Sequence, residues 1–130
     1  MVEAEKQWHA NVMSIHVVTG NTRYYIVGCY LPPDNLHSLE FVKKAWSQRR
    51  SGAIPLLIGD FNVDLDSPNN SRADIIAEQL DRWLLNKTCD HFYRKTKKGG
   101  QRGNWTWHQD RTGDDTVGRW IHKQLDYVLF

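Results

Sequence analysis

The 130 residues carry 17 basic and 15 acidic side chains, a formal net charge of +2, with 40% hydrophobic and 25% charged residues. That balance describes an ordinary globular domain and excludes a disordered polyelectrolyte, while the small net charge does not by itself announce a nucleic-acid binder. Two lone cysteines, Cys29 and Cys89, make no disulfide framework and no C-x-x-C pair, which points to a reducing, intracellular compartment, nuclear or cytoplasmic. The charged start, Met1 to Ala10, has no apolar core of a signal peptide, and the apolar runs are too short to span a bilayer.

In chain order, Val12–Val18 and Tyr24–Leu31 are rich in β-branched and aromatic residues and flank a turn-forming Thr-Gly-Asn-Thr-Arg, so they read as two hairpin strands. A helix is expected from Asn35 to about Arg50, capped by Asp34, with Leu36, Leu39, Val42 and Trp46 on one face and Gly52 as its stop. Pro55–Asn62 is a continuous apolar run, the pattern of a strand covered on both faces. Ser71 with Asp74 looks like a capping box opening a helix that turns Ile76, Leu80, Trp83 and Leu84 inward. After it, Asn104–Gln109 and His122–Phe130 alternate as strands do. Strands interleaved with helices define an α/β class and a single domain over 1–130.

Polar residues stand at the ends of these strands. Tyr30 precedes Pro32 and Pro33, which turn the chain out of the sheet. Leu57-Ile58-Gly59-Asp60-Phe61-Asn62 ends an apolar strand with an aspartate and an asparagine two residues apart, and strand alternation would aim both the same way. The same dipeptide spacing also fits a strand simply relaxing into an Asx turn. Asp126 stands in an otherwise apolar strand, where a carboxylate needs a partner. A phenol, two carboxylates and an amide at the mouths of strands suit phosphate chemistry: donors for oxygens and an acceptor for a water or a cation.

The words Gly28-Cys29-Tyr30-Leu31-Pro32-Pro33, Leu56-Leu57-Ile58-Gly59-Asp60-Phe61-Asn62, Trp105-Thr106-Trp107-His108-Gln109 and Gln124-Leu125-Asp126-Tyr127-Val128-Leu129-Phe130, in that order, resemble the endonuclease/exonuclease/phosphatase superfamily. The Trp-Thr-Trp doublet ahead of Leu125–Leu129 is most similar to the non-LTR retrotransposon branch. The resemblance implies a DNase I-like α/β sandwich, here partial, and a Mg²⁺- or Mn²⁺-dependent phosphodiesterase acting on DNA. It implies that Tyr30 contacts the scissile phosphate and that Asp60 orients or deprotonates the attacking water or protonates the leaving group. By the same likeness Asn62 holds a phosphate oxygen, Asp60 and Asn62 touch a second cation, Asp126 fixes a catalytic histidine and Trp107 lines the substrate pocket.

The family's metal-gripping Asn and Glu and its terminal Ser-Asp-His run have no counterpart among these residues; His91, in Cys-Asp-His-Phe, precedes the Trp-Thr-Trp segment and is not that histidine. The chain is accordingly expected to be a nuclease-domain fragment, inactive alone, that pairs with a complementary chain or with itself. A catalytically dead phosphate-backbone binder and a phosphatase of the same superfamily are the alternatives. Arg94–Arg102 holds five positive charges and no negative one; it reads as a solvated loop or, through Lys95, Lys97 and Lys98, as a phosphate-contacting one. Trp8, Trp46, Trp83 and Trp120 read as packing residues.

Overall fold

The computed structural model describes residues 1–83, 85, 107–110, 120–123 and 126–130. Its elements are β1 (Val2–His9), β2 (Val12–Thr19), β3 (Thr22–Tyr30), α1 (His37–Ser47), β4 (Ile54–Asp60), α2 (Ser71–Arg82), β5 (Trp107–Asp110), β6 (Trp120–Lys123) and β7 (Asp126–Leu129).

Five strands form one mixed sheet in the order β1-β2-β3-β4-β7, and β5 pairs with β6 in a separate ladder. The β2–β3 hairpin closes with Thr19 opposite Thr22, over a two-residue turn whose first position, Gly20, has φ +58°. Glycine adopts that conformation without a Cβ penalty, so the hairpin register follows directly from the turn. β3 and β4 run parallel, and α1 is the crossover between them, as a parallel pair requires. β7 then joins β4 antiparallel.

Alternation divides the sheet into two unlike faces. Val12, Ser14, Tyr25, Val27, Leu57, Tyr127 and Leu129 are buried beneath the helices. α1 turns Ser38, Leu39, Val42, Ala45 and Trp46 onto this face, and α2 adds Ala73, Ile76 and Leu80. Where both helices meet β3 and β4, only a cavity of about 10 Å³ remains, so this layer is closed. Across the sheet, Met13, Ile54, Ile58 and Phe130 are exposed by 36%, 46%, 37% and 52%. The second face therefore keeps an apolar surface in water, and β4 is a strand covered well on one side only.

Several local expectations change. β1 forms although its charged sequence shows no strand-like run; pairing with β2 from Val2↔Val17 to His9↔Val12 defines it. α1 starts at His37, not Asn35, and its N-cap is Leu36, with no side-chain cap; Asp34 does not cap it. It ends at Ser47, before Gly52, which instead occupies a turn at φ +80°. At α2, Asn70 and not Ser71 is the cap, its side chain accepting from the amides of Arg72 and Ala73. The last expected strand is split into β6 and β7, and β7 pairs with β4 in the main sheet. Leu84 lies outside the described residues, while Trp46 is buried and Trp8 and Trp83 are partly so, as packing residues should be.

Candidate functional site

The polar strand ends meet. Tyr30, the last residue of β3, is in register with Asp60, the last of β4, and Asp60 is in register with Asp126, the first of β7. Register partners project to the same face, with Cβ atoms of directly opposed residues about 4.5–5.5 Å apart in an antiparallel pair. A phenol and two carboxylates thus form one row across three adjacent strands, at one end of the apolar second face. Tyr30 is 44% exposed. Asp126 is exposed at the start of its strand, not embedded among apolar neighbours, so its burial is not the cost that its sequence context implies.

Asn62 reaches this row by a route other than alternation. β4 stops at Asp60, and Asn62 has φ +50°, a left-handed conformation that asparagine tolerates better than most residues. Its backbone N–H donates to Asp60 Oδ1 at 2.9 Å, an Asx turn, and its Nδ2 donates to the carbonyl of Leu31 at 2.9 Å. Leu31 N–H in turn donates to the Asp60 carbonyl at 2.8 Å. The ends of β3 and β4 are laced together, and the Asx-turn reading of Asp60 and Asn62 is what the hydrogen bonds show. Between them Phe61 is 1% exposed and packs on Tyr127 at 5.3 Å between ring centroids. Tyr127 Oη accepts from Leu65 N–H at 2.9 Å, which holds the loop beyond Asn62 to β7.

Gly59 has a packing reason. A Cβ there would stand 2.1 Å from the Cys29 carbonyl oxygen and 2.8 Å from its sulfur, so only glycine lets β4 lie this close to β3 beneath the row. Cys29 is itself inert: burial, and secondarily the Asp60 charge, push its thiol up to about 12.

Arg72, near the start of α2, is the organiser that the sequence did not reveal. Its guanidinium donates to the carbonyls of Asn35 at 2.8 Å, Phe61 at 2.9 Å and Leu31 at 3.1 Å, tying the loops after β3 and β4 to one planar fork. Burial lowers its pKa, and the charges of Asp34, Asp60 and Tyr30 oppose that shift. The Asn70 cap and the arginine beside it are the only sequence signal, and many helices open that way.

Other expected site residues are less informative. Trp107 opens β5, with Lys123 as its register partner on β6. Lys95, Lys97 and Lys98 lie outside the described residues. Among the described residues no group of three His, Cys, Asp or Glu side chains is arranged to hold a metal. The donors that do converge, two carboxylates and an amide, are all-oxygen and suit Mg²⁺ in kind, which takes few protein ligands and completes its shell with water and phosphate.

A mixed sheet with two helices on one face is an α/β fold that matches DNase I-like endonuclease/exonuclease/phosphatase structures. Two solved structures carry it. One is the endonuclease domain of TRAS1, a telomere-specific non-LTR retrotransposon, with a TM-score of 0.63, 17% identity and 92% of this chain covered. The other is an endonuclease/exonuclease/phosphatase family protein from Leptotrichia buccalis C-1013-b, with a TM-score of 0.63, 19% identity and 99% of this chain covered. The chain spans about half of each, 49% and 50% of their lengths. No protein-family model and no curated protein matches the sequence.

Proposed function

We propose that this chain is the phosphate-facing part of a metal-dependent DNA endonuclease of retrotransposon type, and that it does not turn over by itself. The observation that carries the reading is the register row Tyr30–Asp60–Asp126, with Asn62 tied to Asp60. Asp60 and Asp126 are directly opposed on neighbouring strands, so a cation placed beside the row would be attracted to both carboxylates. Mg²⁺ held there would supply charge neutralisation to a phosphodiester.

In this reading Asp60 takes or gives the proton at the reacting oxygen, and its Oδ1 is already oriented by the Asn62 amide. Tyr30 donates from its hydroxyl to a phosphate oxygen. Asn62 Nδ2 is occupied by the Leu31 carbonyl, which leaves its Oδ1 to face cation or solvent. Asp126 orients a base, and the sequence holds no Ser-Asp-His histidine to be oriented. That gap is the reason for expecting no turnover.

Supercoiled plasmid with Mg²⁺ or Mn²⁺ should stay unrelaxed, while duplex DNA should bind more tightly with the cation than without it. Asp60→Ala should remove the cation's contribution. Relaxation that survives in Asp60→Ala, or DNA binding indifferent to both cation and substitution, contradicts the reading.

A further inference from the structure

The sheet carries a second polar concavity, on the helix-covered face. Lys6 and Trp8 of β1, Ser14 and His16 of β2, Tyr25 of β3 and Arg50 beyond α1 line a cleft of about 210 Å³. Register pairs Lys6 with Ser14 and His16 with Tyr25, so these side chains share a face, opposite to that of Tyr30 and Asp60. Beside it lies a wider depression of about 410 Å³, lined by Ser47, Arg49, Arg50 and Ser51 among others, with Arg50 common to both. Among the described residues no carboxylate lines either one.

The cleft is cationic and aromatic together. Lys6 Nζ sits 3.9 Å from the Trp8 ring centroid, and Trp8 Nε1 donates to Ser14 Oγ at 2.8 Å, which fixes the indole. The His16 ring lies 4.8 Å from that of Tyr25. The negative end of α1 points this way, but its carbonyls are already engaged: Ala45 accepts from Tyr25 Oη at 2.5 Å, and Trp46 accepts from Arg49 at 3.1 Å. A tetrahedral anion would therefore meet donors from Lys6 and Arg50, and a planar ring would meet the walls at Trp8 and His16. Cationic donors beside aromatic walls are the features by which single nucleotide units are held.

We infer that this cleft binds a nucleotide, its phosphate between Lys6 and Arg50 and its ring beside Trp8 and His16, either as a free mononucleotide or as one unit of a single strand. This site is separate from the strand-end row and does not depend on the function proposed for it.

The test is a backbone amide correlation spectrum of the whole chain, titrated with adenosine 5′-monophosphate, a short oligothymidylate and inorganic phosphate. The mononucleotide should shift the amides of Lys6, His16 and Arg50 saturably, and the oligomer should do the same. The double substitution Lys6→Gln, Arg50→Gln should weaken binding by about tenfold or more. Both side chains are exposed, so the unliganded spectrum of this variant reports that the fold persists. Tighter binding of the oligomer assigns the site to a strand, and equal binding assigns it to the free nucleotide. Three results would overturn the inference: no saturable shift with either nucleotide ligand, shifts indifferent to the double substitution, or inorganic phosphate binding as tightly as the mononucleotide.

Discussion

At the scale of residues, the site depends on how closely β3 and β4 approach. Gly59→Ala would set a methyl 2.1 Å from the Cys29 carbonyl, against backbone that cannot swing away. The expected cost is about 1–3 kcal/mol, read as a lower urea midpoint, with the Asp60 amide displaced in the spectrum; an unchanged midpoint would mean the strands can part freely. Cys29 gives a second test. Its folded-state thiol is raised from 9.0 to about 12 by burial and then by Asp60. The fold therefore holds the proton after the unfolded chain has released it. Stability from this group is complete below pH 9 and is lost as pH climbs from 9 toward 12, at up to about 1.4 kcal/mol per pH unit. Relative to Cys29→Ala, the parent should lose stability across that window; parallel curves for the two proteins would show that the thiol is not buried.

Among elements, α2 separates what a sequence can say from what only the backbone can. Ser71 and Asn70 are adjacent and both are good caps, so composition cannot choose between them; the extended φ of −112° at Asn70 does. Asn70→Ala should cost about 1 kcal/mol and loosen Arg72, whereas Ser71→Ala should change stability by only a few tenths. Equal effects in a thermal melt would place the cap elsewhere. The hairpin at Gly20, the α1 face and the apolar run of β4 were legible because each rests on local periodicity or turn chemistry. β1 was not, because its charged sequence becomes a strand only through its partner. The positive φ of Asn62 was hidden for the same reason: alternation predicts the right neighbours for Asp60 and Asn62 but the wrong geometry, since an Asx turn and not a strand brings them together. Arg72 was invisible because its role consists of three backbone carbonyls distant in sequence.

On the whole-molecule scale, the two faces of the sheet differ in their cover. Helices close one, while Ile54 and Ile58 stay 46% and 37% exposed on the other. An apolar patch of a few hundred Å² in water corresponds to several kcal/mol at about 25 cal/mol/Å², comparable with the net stability of a domain. The 130-residue chain should therefore elute ahead of a monomer in size-exclusion chromatography, and Ile54→Thr with Ile58→Thr should move it toward the monomer position. A monomeric parent with a cooperative melt well above the usual mesophilic range would contradict this.

Tyr30, Asp60 and Asp126 form one row at the strand ends, and paramagnetic broadening tests whether that row draws a cation. Substoichiometric Mn²⁺ added to the isotope-labelled chain should broaden the amides around Asp60, Asn62 and Asp126 first, excess Mg²⁺ should restore them, and Asp60→Ala should leave them sharp. Broadening spread evenly over the acidic surface, or localised there but unchanged in Asp60→Ala, would mean that the row is a strand-end turn and no more.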